Sequence, residues 1–142
     1  MQKFLIFVSE QWLLVTALAA AIAALAWLEN RRSGVSVSTH QLTSLVNRES
    51  AVIVDLRDKS DYSEGHIVDA VNVPFSQWQA ELNNDGKTAL DQYQDQPIVL
   101  VCKMGQQSSA VAKRLQAKGK TNVYRLSGGL MEWQGNQMPL VK

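Results

Sequence analysis

One cysteine stands where this chain is best suited to nucleophilic chemistry. Cys102, the only cysteine of the 142 residues, directly follows the apolar run 98–101 and opens the polar loop 103–107. An apolar run of four residues between a proline and a polar loop is typical of a buried strand. Because the thiolate of cysteine is a strong nucleophile, a cysteine at the exposed end of a strand is a candidate catalytic residue.

A segment with the pattern of an amphipathic helix follows the loop at once. Residues 108–118 carry three apolar side chains on one face: Val111, Ala112 and Leu115. Gly119 stands where a helix commonly ends. A strand, a tight loop and a helix in this order direct backbone N–H groups and the positive helix end at the loop. We therefore expect Cys102 to favour the thiolate and to hold a negatively charged adduct.

A lone cysteine has a second common role, as an inert core residue, because cysteine is among the most buried residue types. The polar loop with Gly105 suits an exposed strand end instead. Ligands in open α/β sheets bind at the carboxyl ends of strands. Both interpretations of Cys102 stay open at this point, and the composition of the loop favours the reactive one.

Composition excludes several classes of function. The net charge is +1 and no basic stripe is interleaved with aromatic residues, so we expect no nucleic-acid partner. A single cysteine excludes an intramolecular disulfide, and no Cys/His cluster has zinc-ligand spacing, so we expect no metal. A thiol-dependent activity would suit a reducing compartment.

The amino terminus is predicted to anchor the chain in a membrane. Residues 12–28 are apolar except for Thr16, and as a helix they would span about 25 Å. Trp12 and Trp27 stand at the two ends, as interfacial anchors do. We therefore assign residues 1–28 to an anchor helix with its core at 12–28, which makes membrane lipid the first expected partner.

Two alternatives to the anchor stay open. The triplet 24–26, Ala-Leu-Ala, offers a cleavage site behind Lys3, so the segment could be a secretory signal that leaves a periplasmic domain. It could also be a buried helix packed on the domain. If the segment is an anchor, two positive residues follow the span (Arg31 and Arg32) and one precedes it (Lys3). Since positive residues favour the cytoplasmic side, this predicts a single-pass protein whose main domain faces the cytoplasm.

The remaining chain is divided into a linker, residues 29–34, and one α/β domain, residues 35–142. Short apolar runs predict strands near 35–37, 51–54, 71–73, 98–101 and 122–126. Ser38 and Gln41 have the spacing of a capping box, and a further helix is predicted over 75–82. Strands that alternate with amphipathic helices indicate a mainly parallel sheet with helices on both faces.

Three motifs in this domain resemble the signatures of the rhodanese-like sulfurtransferases. The first motif comprises 55–57 (Asp-Leu-Arg), 62–67 (Tyr-Ser-Glu-Gly-His-Ile) and 70–74 (Ala-Val-Asn-Val-Pro). The second is the loop of Cys102 with Gly105 and Ser108, and the third is 126–129 (Leu-Ser-Gly-Gly) with Trp133 and Pro139. Together with the anchor, the pattern is similar to that of a single-domain rhodanese tethered to the bacterial inner membrane.

The resemblance implies a five-stranded parallel α/β fold and a sulfurtransferase activity. The loop cysteine would take a sulfane sulfur from thiosulfate or from a persulfide donor, and the Cys102 persulfide would pass it to cyanide or to a thiol or protein acceptor. The resemblance implies no organic cofactor.

The loop residues Lys103, Met104, Gly105, Gln106, Gln107 and Ser108 are predicted to bind the substrate. Their successive amides can surround a persulfide anion, and Gly105 has no Cβ to prevent close curvature. Ser108 or Ser109 is predicted as the N-cap of the following helix and as a donor to the adduct.

One residue departs from the family pattern. The family often has arginine at the position of Gln107, and a hydrogen bond assisted by charge is roughly twice as strong as a neutral one. Lys103 would compensate only in part, as a point charge without a bidentate fork. Thiosulfate is therefore an uncertain donor, and a persulfide is as plausible.

Residues outside the loop are predicted to support it. Asp55 and Arg57 are expected to hold the first motif against the loop, with direct substrate contact by Arg57 as the alternative. His66 is expected to make a structural hydrogen bond, and Trp133 is expected to lie in the core. Gly128 and Gly129 are expected to form a tight turn near the site.

Two other functions compete with sulfur transfer. The domain could be a binding module that recruits other membrane proteins, as the short linker and Gln107 suggest. A cysteine phosphatase uses a similar loop, but its chemistry needs an arginine clamp on the phosphoryl group, and Gln107 cannot provide one.

Overall fold

The computed structural model describes residues 1–84 and 86–142 and divides the chain into two compact units. The first unit is Met1–Arg32 and the second is Ser33–Lys142. The first consists of helices without buried residues, whereas the second contains the hydrophobic core.

Two helices form the first unit, α1 (Gln2–Glu10) and α2 (Trp12–Arg32). The 21 residues of α2 correspond to about 32 Å of helix, which matches a hydrocarbon core of about 30 Å. Among the described residues, α2 is the one helix that is long and apolar enough to cross a membrane. A signal sequence near the amino terminus would have the same property.

The second of these helices extends further than the sequence predicted. Residues 29–32, assigned to the linker 29–34, continue α2 to Arg32. The guanidinium of Arg31 lies 4.4 Å from the ring centroid of Trp27, one helical turn earlier. This cation–π contact gives the polar end of the helix a partner that the composition of the segment did not reveal.

A five-stranded sheet forms the centre of the second unit. Its strands are β1 (Val35–Val37), β2 (Val52–Asp55), β3 (Val71–Asn72), β4 (Ile98–Val101) and β5 (Val123–Leu126). All pairings are parallel, in the order β1-β5-β4-β2-β3. The structure confirms the predicted fold class, and it places the strand that precedes Cys102 in the middle of the sheet.

Helices cover both faces of this sheet. They are α3 (Thr39–Glu49), α4 (Lys59–Glu64), α5 (Phe75–Asn84), a short 3-10 helix (Ala89–Tyr93), α6 (Gln106–Ala117) and α7 (Gly129–Gly135). One core cluster includes Trp78 of α5 and Val111 of α6. The other includes Leu42 of α3 and Leu130 of α7. Each face of the sheet is therefore closed by a different pair of helices.

Helix boundaries confirm some of the capping signals in the sequence. The hydroxyl of Ser38 accepts a hydrogen bond from the amide of Gln41 at 3.2 Å, and the Gln41 side chain accepts one from the Ser38 amide at 2.8 Å. At the end of α6, Gly119 adopts φ 96°. The amide of Gly119 bonds the carbonyl of Gln116, as in a Schellman ending.

Two elements differ from the sequence prediction. The stretch 58–65, for which the sequence predicted no helix, contains α4, a helix of six residues without a fully buried residue and without an apolar stripe in its sequence. The other is α6, which begins at Gln106 rather than at Ser108. Gly105 is its N-cap, in the left-handed region at φ 103°, so neither Ser108 nor Ser109 caps this helix.

Candidate active site

Cys102 lies at the carboxyl end of the central strand β4. The four residues of β4 are buried, and Cys102 itself is 2% exposed. Its sulfur nevertheless accepts a hydrogen bond from the backbone amide of Gly105, with 2.9 Å between N and Sγ. The left-handed conformation of Gly105 lets the chain turn back within three residues of the cysteine.

One side of the cysteine packs in the core and another borders an open cavity. Cys102 belongs to the core cluster that contains Val54, Leu100 and Val111. It also lines a cavity of about 220 Å³. The other lining residues are Arg57, Asp58, Asp61, Lys103, Met104, Gln106 and Gln107. The thiol is thus buried in the apolar interior but borders a space that a small molecule can enter.

The structure brings most of the predicted loop residues to this cavity. Lys103, Met104, Gln106 and Gln107 are exposed and line it together with Cys102. Of the amides expected to surround the sulfur, that of Gly105 lies within hydrogen-bonding distance in the described part of the chain. Several successive amides were expected to donate to the sulfur, so the set of donors observed here is smaller than the sequence predicted.

Ser108 occupies a different position from the one predicted. It is the third residue of α6 and is fully buried. Among the described residues, its hydroxyl has no hydrogen-bond partner. A buried unpaired hydroxyl is uncommon in native structures, so it marks a place where a donor is available.

The cysteine loop is held from behind by the start of α7. The amide of Leu130 donates to the carbonyl of Cys102 at 2.8 Å, and the amide of Met131 donates to that of Lys103 at 3.2 Å. Gly129, at φ 63°, lies so close that a Cβ there would overlap both carbonyl oxygens. Gly128 also has a positive φ, of 70°. The expected turn of these two glycines is therefore in direct contact with the loop.

An ion pair supports the other side of the site. Arg57 donates from Nη2 to Oδ2 of Asp55 at 2.8 Å and from Nε to Oδ1 at 3.0 Å. The same Nη2 also donates to the carbonyl of Gly65 at 2.7 Å. Asn72 donates to the carbonyls of Asp55 and Arg57, which fastens this segment to β3. The Arg57 guanidinium is largely engaged by protein groups, although it also borders the cavity.

We expect Arg57→Ala to destabilise the second unit strongly. The side chains of Asp55 and Arg57 are 1% and 10% exposed, so the variant leaves a buried carboxylate without its partner. Breaking a buried pair on one side costs about 3 kcal/mol or more, which corresponds to a decrease in Tm of roughly 10–20 °C. Thermal unfolding measures the change. Arg57→Lys keeps the charge but not the bidentate geometry, so its Tm should lie between those of the wild type and Arg57→Ala. An unchanged Tm in Arg57→Ala would contradict a structural role.

The remaining motif residues make structural contacts. The His66 ring stacks on Tyr62 with centroids 3.8 Å apart, and its Nδ1 lies 2.9 Å from the Tyr62 carbonyl. The backbone of His66 pairs with that of Val141. Trp133 is buried, and its Nε1 donates to the carbonyl of Pro139 at 3.0 Å. These side chains fix the frame of the site and do not line the cavity of Cys102.

Two cavity residues were not identified from the sequence. Two aspartates line the cavity of Cys102: Asp58, which is the N-cap of α4, and Asp61, which lies within α4. They lie in the stretch 58–65, for which the sequence predicted no helix. Their position a few residues after β2 was the available signal, since residues that follow a parallel strand lie at the same edge of the sheet as the cysteine loop.

Comparison with known proteins decides the family. The sequence model described as Rhodanese-like domain matches residues 38–136, which is most of the second unit. The chain belongs to the rhodanese-like family.

Relatives of known sequence match over different lengths of the chain. The uncharacterized protein YibN of Escherichia coli K12 is 34% identical over 145 residues, covering 100% of this chain and 99% of the relative. The thiosulfate sulfurtransferase GlpE of Pseudoalteromonas translucida is 33% identical over 98 residues, covering 69% of this chain and 87% of the relative.

A rhodanese-like fold is also found among solved structures. A rhodanese-related protein from Thermoplasma volcanium superposes with a TM-score of 0.59 at 22% identity, covering 75% of this chain and 97% of that one. This likeness supports the fold, and the predicted family resemblance is confirmed.

Proposed function

We propose that this protein is a sulfurtransferase that carries a sulfane sulfur on Cys102. The observation that carries the proposal is the Gly105 amide, 2.9 Å from a sulfur that borders an open cavity. Family membership agrees with it, and several relatives that match about two thirds of the chain are named thiosulfate sulfurtransferases.

In the first half-reaction, the Cys102 thiolate attacks the outer sulfur of a donor. With thiosulfate, a new S–S bond forms at Cys102, the S–S bond of the donor breaks, and sulfite leaves with the electron pair. With a persulfide donor, the leaving group is the donor's thiolate. Attack requires the thiolate, because the neutral thiol is a poor nucleophile. The Gly105 N–H donates a hydrogen bond to the sulfur that would carry this negative charge.

In the second half-reaction, an acceptor thiolate attacks the outer sulfur of the Cys102 persulfide. The new bond joins the acceptor sulfur to the sulfane sulfur, the Cys102–sulfane bond breaks, and Cys102 recovers its thiolate. Cyanide would accept the sulfur in the same way. No oxidant or reductant is consumed, so the cycle needs no redox cofactor.

Lys103 would help to position the migrating sulfur, because it supplies a positive charge at the rim of the cavity. Ser108 does not line the cavity, but its buried hydroxyl has a hydrogen-bond capacity that the described residues leave unused. Gln107 can donate a hydrogen bond but supplies no charge for an anionic donor. A persulfide is therefore favoured over thiosulfate as the donor.

Steady-state assays test the proposal. The full-length protein is supplied with thiosulfate, or with a low-molecular-weight persulfide, together with a thiol acceptor, and release of sulfite from thiosulfate, or of the donor's thiol from the persulfide, is followed. We expect turnover with at least one donor and a higher kcat/KM for the persulfide. A protein that turns over neither donor, but retains a cellular role that depends on residues 1–34, would support the binding-module alternative instead.

We also propose that α2 anchors the domain in the inner membrane, with the domain in the cytoplasm. Residues 12–28 would contact lipid, and Arg31 and Arg32 would remain on the cytoplasmic side. The length and uniform apolar character of α2 support this placement.

Deleting residues 1–32 is expected to move the protein from the membrane to the soluble fraction after cell lysis. In intact spheroplasts that contain the full-length chain, added protease should leave the domain uncleaved, and detergent should make it accessible. The mass of the purified protein shows whether its amino terminus has been cleaved, which distinguishes the anchor from a secretory signal. Cleavage after residue 26, with a domain accessible to protease in spheroplasts, would contradict the anchor and indicate a secretory signal.

A further inference from the structure

The first helix of the chain, α1, carries large apolar side chains that the described residues leave uncovered. None of its nine residues, all of which the structure describes, is buried. A helix of this length is marginal in water, because most helical stability in proteins comes from the packing of an apolar face. An apolar surface outside the chain would supply that packing.

The sequence of α1 divides the helix into two faces. At 3.6 residues per turn, the apolar residues of one face project within about 160° of one another. They are Phe4, Leu5, Phe7 and Val8. The polar residues project from the other side and are Gln2, Lys3, Ser9 and Glu10. Ile6 stands in the middle of this polar side, as its one apolar residue. An apolar face opposite a charged one is typical of a helix that lies flat on a membrane.

The second helix, α2, has the character of a span and needs no contribution from α1. Its 21 residues correspond to about 32 Å of helix, close to the thickness of a hydrocarbon core. Side chains of residues 12–28 are apolar in all directions around the axis. Trp12 and Trp27 stand at the two ends of this apolar part, as residues at the two interfaces do. On this placement, α1 begins where the hydrocarbon core has already ended.

The junction between the two helices is polar and interrupts the helical backbone. The first helix ends at Glu10, and Gln11 has φ −112° and ψ 30°, outside the helical region. This break lets α1 take a direction different from that of α2. A span continued into α1 would instead draw the carboxylate of Glu10 into the hydrocarbon, where a charged side chain is costly.

We infer that α1 is an interfacial helix, which lies on the membrane surface at which α2 begins and binds lipid through its apolar face. Phe4 and Phe7 would lie about 5–10 Å deep, at the boundary between headgroups and acyl chains, with Lys3 and Glu10 in water. The inference rests on the proposed anchor, because α1 reaches this surface only if α2 spans the bilayer. A helix in this position resists movement of the span along its axis, since such movement would bury the polar side of α1.

Single cysteines at neighbouring positions test the inference. Full-length chains carry Ile6→Cys, Phe7→Cys or Leu18→Cys in a Cys102→Ser background, which has no other thiol. They are placed in bilayer discs of palmitoyl-oleoyl phosphatidylcholine, which expose both membrane faces, so the result does not depend on orientation. A charged, water-soluble maleimide is added, and its reaction is followed by intact-protein mass. Ile6 is the matched control, because without lipid it is 55% exposed against 57% for Phe7.

We expect Phe7→Cys to react about tenfold more slowly than Ile6→Cys, because a thiol among acyl chains forms the reactive thiolate less readily. Phe4→Cys should behave like Phe7→Cys, since both positions lie on the same face. Leu18→Cys lies in the middle of the span and should react only after detergent is added. The pattern of two slow positions around a fast one is that of a helix lying at an interface.

Two kinds of result would overturn the inference, and they differ in what else they affect. Equal or reversed rates for Ile6→Cys and Phe7→Cys, with Leu18→Cys protected, would contradict the interfacial helix and leave the anchor intact. Two slow rates would then place α1 inside the span, and two fast rates would place it in water. If Leu18→Cys also reacts in the discs, or the purified chain lacks residues 1–26, the anchor fails and the inference fails with it.

Discussion

Cys102→Ser is expected to abolish turnover with every sulfane donor. A hydroxyl is a far weaker nucleophile than a thiolate and cannot store the migrating sulfur between the half-reactions. Removing a nucleophile commonly lowers kcat by several orders of magnitude, so activity should fall to the background rate. The measurement is release of sulfite from thiosulfate, or of the donor's thiol from a persulfide, under conditions that saturate the wild type.

The fold of this variant must be intact for the result to be informative. Serine is slightly smaller than cysteine, and its oxygen can accept the hydrogen bond from the Gly105 amide. We therefore expect a cooperative thermal transition like that of the wild type. Residual turnover in a folded Cys102→Ser protein would contradict the assignment of the nucleophile, because the chain has no second cysteine to replace it.

Gly129→Ala is expected to disrupt the cysteine loop from behind. A left-handed conformation costs a residue with a Cβ about 1–2 kcal/mol, and here the Cβ would also overlap the carbonyl oxygens of Cys102 and Lys103. Relief of the overlap moves α7 away and weakens the bonds from Leu130 and Met131, each worth about 1 kcal/mol. The sum of about 3 kcal/mol predicts a decrease in Tm of roughly 10–20 °C.

Sulfur loading should decrease together with stability in this variant, since the same displacement moves the loop that holds Sγ. Gly135→Ala is a matched control in the same helix. Gly135 is not among the glycines with a positive φ, and a Cβ there would meet no atom within 4 Å. Thermal unfolding and intact-protein mass measure both effects. If the two variants load sulfur equally well at a temperature where both are folded, the contact between α7 and the loop has no role in the chemistry.

Local signals in the sequence predicted the elements that position the nucleophile. The run 98–101 is β4, and the capping box of Ser38 with Gln41 is formed. Gly119 ends α6. In each case the interaction that determines the structure lies within a few residues of the signal, so a pattern along the chain contains it.

Features that depend on distant contacts or on weak local patterns were missed or misassigned. Residues 29–32 were predicted to belong to the linker 29–34 but continue α2. Ser108 was predicted as a helix cap but is a buried residue of α6. The short helix α4 has six residues, none of them fully buried, so its sequence shows no apolar periodicity, and Asp58 and Asp61 were overlooked with it. Which carbonyls approach Gly129 follows from the packing of α7 on the loop, which no local pattern encodes.

The mass of the intact protein after exposure to a sulfane donor tests the central claim most directly. Because Cys102 is the only cysteine, a covalently added sulfur that survives denaturation can be assigned to that residue without further mapping. The account predicts that the wild type gains the mass of one sulfur atom and loses it when a thiol acceptor is added, while Cys102→Ser gains nothing. An unchanged mass of the folded wild type with thiosulfate, polysulfide and a persulfide donor alike would contradict it.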